Sequence, residues 1–164
     1  KAGLSISDVK PAYLLPSDAG PAFANGSVEA WVIWDPYLAL AQAQNDTRIL
    51  TTSRQTHAVS DFFLASRTFA DRYPGIVTAA VEGMAEAASW AEVHRDQVAQ
   101  ALATVTGVPY AIEKGVADRT EFGVGPVTEA LLAKQQATAD RFHRLGLIPR
   151  AIQVRDAVWT PPRT

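Results

Sequence analysis

The sequence predicts an α/β fold with a largely helical second part. Three observations predict it. Residues 1–55 alternate short β-branched or aromatic runs with helical segments, one further apolar run at residues 61–65 follows a polar connection, and from Ser66 onward apolar residues recur at three- and four-residue spacing. The order strand, helix, strand, helix in the first segment implies a parallel βαβ unit.

Residues 9–15 read as a short strand, with Pro11 favouring its start or an edge. Pro16-Ser17-Asp18 then opens a helix, in which Ser17 is an N-cap and Asp18 favours the positive helix end. That helix stops near Asn25-Gly26, where glycine suits a positive φ. Residues 28–34 (VEAWVIW) are mostly apolar, as in a strand covered on both faces. Asp35 is a good N-cap and Pro36 fits the first position of a helix running to about Gln44. Residues 47–50 read as a short strand and residues 51–57 as a polar connection. Residues 61–65 (DFFLA) are a second buried-strand candidate with few partners in their own segment, and a strand needs neighbours for its ladder.

The rest is helical. Pro74 starts the longest helix, to about His94, with Val77, Val81, Met84, Ala88 and Ala91 along one face. A helix over residues 96–106 carries Val98, Leu102 and Val105, and Gly107 stops it. Residues 109–116 form a short helix, residues 118–125 a loop, and Pro126 begins a helix carrying Val127, Leu131, Thr138, Phe142 and Leu145 up to Gly146. The proline-containing tail lies over the surface, held by Ile148, Val154 and Trp159.

With 164 residues and 48% hydrophobic content, the chain supports one medium domain with a substantial core. The formal net charge of -2 gives no electrostatic reason to bind nucleic acid or anionic lipid. The absence of cysteine excludes disulfides, thiolate catalysis and zinc-cysteine sites. No apolar run approaches the roughly 20 residues that span a bilayer. The three histidines lack the spacing of a metal site, Glu82 and Glu86 read as a solvated helix face, and no G-x-S-x-G or P-loop pattern occurs. No catalytic residue, metal or cofactor is expected. The opening Lys1-Ala2-Gly3-Leu4 reads as the last turn of a helix and its glycine stop, as in a piece of a longer protein.

In parallel α/β sheets ligands bind outside the carboxyl ends of strands. The Trp34-Asp35-Pro36 corner stands at such an end. The segments Pro16-Ser17-Asp18-Ala19, residues 22–31 (AFANGSVEAW) and Trp34-Asp35-Pro36-Tyr37 resemble the second half of periplasmic aliphatic-sulfonate-binding proteins, as do residues 62–65 with the long helix after them and Leu147-Ile148-Pro149. These are the substrate-binding components of ABC importers, close to taurine- and nitrate-binding relatives. The resemblance implies a two-lobed, periplasmic-binding-protein-like (type II) α/β fold, of which this chain is a C-terminal fragment. Residues 1–55 are then the later part of the second lobe. Residues 56–164 carry the return crossing, one strand, and helices packing on the first lobe. The implied ligand is a small organic sulfonate or similar oxyanion. The implied partners are a membrane permease and the missing N-terminal half, and the implied location is the periplasm or cell envelope.

Six residues are candidates to line the ligand site. Trp34 walls the cleft against an alkyl chain, or is a core residue at a strand end. Asp35 meets an ammonium group of an aminosulfonate, or caps a helix. Ser17 presents a hydroxyl from a helix start, or only caps it. His57 and Ser60 line the cleft from the crossing, or are ordinary hinge polarity. Arg119, in a loop, holds a sulfonate by paired hydrogen bonds, or is a solvated charge. The competing functions are an enzyme on the same fold, of the thiamin- or menaquinone-precursor type, and a helical interaction module.

Overall fold

The computed structural model describes residues 3, 5–44, 46–56 and 60–161. Eight α-helices are assigned among them: α1 (Pro16–Ala24), α2 (Tyr37–Gln44), α3 (Ser53–Thr56), α4 (Arg67–Arg72), α5 (Pro74–Val93), α6 (Arg95–Thr106), α7 (Tyr110–Arg119) and α8 (Glu129–Arg144). Short 3-10 turns occupy Ile6–Asp8 and Val154–Ala157. No helix among the described residues is long and apolar enough to cross a membrane.

Where the start and stop chemistry is local, the expected helices form. Pro16 sits in the first turn of α1, where its missing N–H would be unused. Ser17 is not the cap: the extended residue before the helix is Leu15, whose carbonyl accepts the amides of Asp18 and Ala19. Ser66 caps α4 by accepting the Phe69 amide at 3.3 Å. Gly26, Gly107 and Gly146 have φ of 77°, 74° and 70°, the left-handed conformation that ends a helix at little cost only for glycine.

The expected strands at residues 9–15, 28–34, 47–50 and 61–65 form no β-ladder among the described residues, and residues 9, 28 and 29 are bends. A strand is completed by hydrogen bonds to a neighbour, and no other described stretch pairs with these. Val32, in the middle of the expected buried strand, is 97% exposed. Residues 1, 2 and 4 of the amino-terminal helix stop lie outside the described residues.

Two compact units share the chain: Lys1–Phe62 with Val93–Glu121, and Phe63–Glu92 with Phe122–Thr164. In the first, α6 and α7 form a helical hairpin, α7 packs on α2, and α2 packs on α1. Small residues allow these close approaches: Ala39 and Ala41 on α2, Ala99 on α6, and Val116 and Ala117 on α7 are buried. Glu113, on α7, is 1% exposed and accepts a hydrogen bond from the Thr106 hydroxyl at 2.8 Å. A buried carboxylate needs such a donor. Val105, expected on the buried face of α6, is exposed.

In the second unit the less exposed face of α5 carries Val77, Met84, Ala88 and Ala91, four of the five residues of the expected stripe. Helix α8 starts at Glu129, three residues after Pro126, because the Thr128 hydroxyl caps it by accepting the Leu131 amide at 3.2 Å. The tail is held as expected, with Ile148, Val154 and Trp159 partly buried. Its polar ties are equally specific. The Gln136 side chain donates to the Ile152 carbonyl and accepts from the Val154 amide, both at 2.9 Å, and Arg155 pairs with Glu129.

Candidate functional site

The corner at Asp35-Pro36 is built by local chemistry first. The Trp34 carbonyl accepts the Leu38 amide at 3.1 Å, and the Asp35 carboxylate accepts the Ala39 amide at 3.2 Å. The carboxylate thus satisfies a first-turn N–H of α2 that has no helical partner and places negative charge at the positive end of the helix dipole. Helix α2 begins at Tyr37, one residue later than expected, and the Asp35–Pro36 peptide is cis.

Trp34 does not enter the core of this unit. It is 65% exposed, and its ring meets Tyr37 edge-on, with centroids 6.0 Å apart and planes at 87°. This is a preferred geometry for two aromatic quadrupoles. The pair therefore offers an apolar wall at the surface of the unit.

Arg119 arrives from the other side. Helix α7 extends through Arg119, three residues beyond the expected end, so Arg119 stands in a last helical turn and not in a loop. Arg95, the first residue of α6, explains the extension. Its guanidinium donates to the Ala117 carbonyl and, at 2.9 Å, to the Thr120 carbonyl. Those carbonyls lie in the region where a helix end leaves acceptors unpaired, and a cation there suits the dipole. Lys114 and Asp118 add an ion pair one turn apart. Arg54 pairs with Glu121 at 2.8 Å just past the helix.

Held this way, Arg119 closes a fork on Asp35. Its Nε donates to Oδ2 at 2.7 Å, its Nη2 donates to Oδ1, and its Nη1 reaches Gln42 Oε1 at 3.4 Å. The side chains are 40% and 25% exposed, respectively, so the pair is half-shielded. The hydrogen bond to Asp35, and then its charge, raise the Arg119 pKa above the ordinary arginine value, so the guanidinium stays charged throughout the working range. The Nε–Nη2 edge of the guanidinium is occupied by Asp35.

A crevice of about 180 Å³ opens beside the corner, lined by Ser17, Gly20, Trp31, Tyr37, Leu40 and Gln44 among others. It is smaller than the roughly 300 Å³ at which drug-sized pockets begin, so it suits only a few heavy atoms. Trp31 forms one wall by lying over Gly20, where an added Cβ would come to 3.7 Å of the ring, and against Phe23 with centroids 6.1 Å apart. Tyr37 belongs both to this crevice and to the Trp34 wall.

The six expected site residues therefore separate. Trp34, Asp35 and Arg119 meet at one corner, and Ser17 lines the adjoining crevice. Ser60 is exposed and outside any helix, and His57 lies outside the described residues. Residues of the site that were not expected include Trp31, Tyr37 and Gln42. Tyr37 was legible from its spacing, since it follows Trp34 by three residues at a helix start.

Residues 1–107 match the NMT1-like family. Over 98% of its length the chain is 33% identical to a protein of Escherichia coli (strain K12) named as an aliphatic sulfonates-binding protein, covering 51% of that protein. A Bacillus subtilis (strain 168) protein of the same name is 32% identical over 92% of the chain and is 46% covered. The crystal structure of the periplasmic aliphatic sulphonate binding protein from Escherichia coli superposes with a TM-score of 0.90 at 33% identity, covering 99% of this chain and 53% of that one. The chain spans about half the length of the curated relatives it matches. The chain belongs to the NMT1-like family, and its sequence and its periplasmic-binding-protein-like fold match those of aliphatic-sulfonate-binding proteins.

Proposed function

We propose that this chain forms part of the substrate-binding component of an ABC importer, which captures a small sulfonate or similar oxyanion in the periplasm and delivers it to a membrane permease. One observation carries the proposal: an exposed Trp34–Tyr37 wall is fixed beside a carboxylate that Arg119 already neutralises. Such a corner offers an organic tail a dry surface without repelling a nearby anion. Ser17, in the adjoining crevice, adds a hydroxyl, which donates to Asp18 Oδ1 at 3.4 Å in this structure and would turn to a bound anion. Binding of this kind needs no bond chemistry, only placed donors and an apolar wall. In a two-lobed protein, closure is driven by the extra contacts that the ligand makes in the closed form. On this proposal residues 1–55 belong to the second lobe, and residues 56 onward carry the return crossing and the helices of the first.

A thermal-shift screen of the natural polypeptide against alkanesulfonates, taurine, nitrate and thiamin precursors tests it, with calorimetry on any ligand found. A sulfonate is expected to raise the melting temperature. Trp34→Ala is expected to weaken its binding by about tenfold or more, because a large apolar contact is removed. Stabilisation by a thiamin precursor with none by sulfonates would refute the proposal.

A further inference from the structure

Asp35 carries a negative charge next to the proposed binding wall, yet its hydrogen-bonding capacity is largely taken. Oδ2 accepts Arg119 Nε at 2.7 Å, and Oδ1 accepts both Arg119 Nη2 and the Ala39 amide, the latter at 3.2 Å. Three N–H donors thus occupy a group with about four acceptor positions. The backbone that carries Arg119 is held in place. Arg119 projects from the last turn of α7, and the end of that helix is fixed by Arg95 on the Ala117 and Thr120 carbonyls and by Arg54 on Glu121. Its Nη1 also reaches Gln42 on α2. A ligand ammonium arriving at Asp35 would have to displace a bidentate guanidinium, or else bind beside a charge already cancelled.

We infer that Arg119 is a specificity-determining positioning residue, which neutralises Asp35 so that the Trp34 corner favours sulfonates with uncharged tails over those ending in an ammonium group. The inference rests on the proposed sulfonate binding and adds the direction of its selectivity. Specificity here comes from withdrawing a partner from the wrong ligand. A guanidinium suits the task because its planar fork matches both carboxylate oxygens and it stays charged at all working pH values.

The test uses two ligands that differ only by an ammonium group, ethanesulfonate and 2-aminoethanesulfonate. Affinities are measured by calorimetry on the natural polypeptide and on its Arg119→Gln, Arg119→Lys and Arg119→Gln/Asp35→Asn variants. The unaltered protein is expected to prefer ethanesulfonate. Arg119→Gln exposes the Asp35 carboxylate and is expected to move the affinity ratio toward the aminosulfonate by about tenfold or more. The double variant is expected to lose that gain, and Arg119→Lys to retain part of the original preference. If Arg119→Gln weakens both ligands by the same factor, or leaves the ratio unchanged, Arg119 is only structural and the inference fails while sulfonate binding stands. If Arg119→Gln does not fold, Arg119→Lys and the single Asp35→Asn variant are measured instead: Arg119→Lys is expected to move the ratio part of the way toward the aminosulfonate, and Asp35→Asn, which leaves the guanidinium without its carboxylate, to move it away, so an unchanged ratio in both overturns the inference. If the unaltered protein binds neither ligand, the proposed function fails and the inference fails with it.

Discussion

Replacing Asp35 separates its two structural roles. Its carboxylate caps α2 through the Ala39 amide at 3.2 Å and anchors Arg119 from 84 residues away. Losing an N-cap costs typically about 1 kcal/mol. The ion pair has a gross attraction of about 4 kcal/mol at 4 Å and an effective dielectric of 20. Side-chain exposures of 40% and 25% leave it open to solvent screening, and ordering the long Arg119 side chain costs entropy, so its net value is about 1 kcal/mol. Asp35→Ala removes both roles and should cost about 2 kcal/mol. Asp35→Asn keeps an oxygen for the Ala39 amide but loses the charge, and should cost about 1 kcal/mol. A double-mutant cycle of Asp35→Asn with Arg119→Gln should return a coupling of about 1 kcal/mol. Urea unfolding followed by circular dichroism gives the free energies. Amide exchange at Ala39 isolates the cap, accelerating in Asp35→Ala and not in Asp35→Asn. A coupling below about 0.3 kcal/mol would show that the Arg119 fork contributes nothing to stability, and equal costs for the two Asp35 variants would show that the cap contributes nothing.

Three further outcomes follow from the packing. Gly107 has φ 74°, so Gly107→Ala should destabilise by about 1 kcal/mol, whereas Gly83→Ala inside α5, where no heavy atom outside the helix backbone approaches within 4 Å, should be neutral or stabilise by up to about 1 kcal/mol; thermal melts of the two variants check both signs. Thr106→Val removes the hydroxyl donor to buried Glu113 and should cost about 1–3 kcal/mol in the same urea assay, a loss that adding Glu113→Leu should partly recover. The Arg155 hydrogen bond, and then its charge, hold the Glu129 carboxyl below its usual value of 4.5. A depressed carboxyl contributes stability that is present above that value and lost as pH falls through the lower folded-state value. Relative to a Glu129→Gln variant, whose response should lack this component, amide protection over residues 152–158 should fall as pH drops below 4.5. A parallel profile in the two proteins would assign the acid response to other groups.

Most of the helices were legible because their signals are local, whereas α3 (Ser53–Thr56) formed within residues read as a polar connection. A proline at position 16 or 74 and glycines at 26, 107 and 146 act on the backbone within a turn of themselves, so their meaning survives without knowledge of the rest of the chain. The end of α7 was misplaced because Arg95, 22 residues before the Ala117 carbonyl that it satisfies, extends that helix from outside. The strand signals at residues 28–34 and 61–65 state a preference of β-branched and aromatic side chains for extended chain, yet no β-ladder forms there among the described residues. A ladder requires a second stretch alongside, and nothing in the run itself supplies one.

The amino-acid sequence by itself determined the corner, since Trp34, Asp35, Pro36 and Tyr37 are contiguous and their roles at a helix start depend on neighbours within four residues. It also carried the family resemblance, through those residues together with residues 16–19, 22–31, 62–65 and 147–149. Only the tertiary structure decided what the Asp35 carboxylate faces. Arg119 reaches it because small buried residues on α2 and α7 let the two helices pack closely, and because Arg95 holds the end of α7 in place. A charge pair 84 residues apart leaves no periodicity or spacing in a single sequence, so its existence is a property of the packed helices alone.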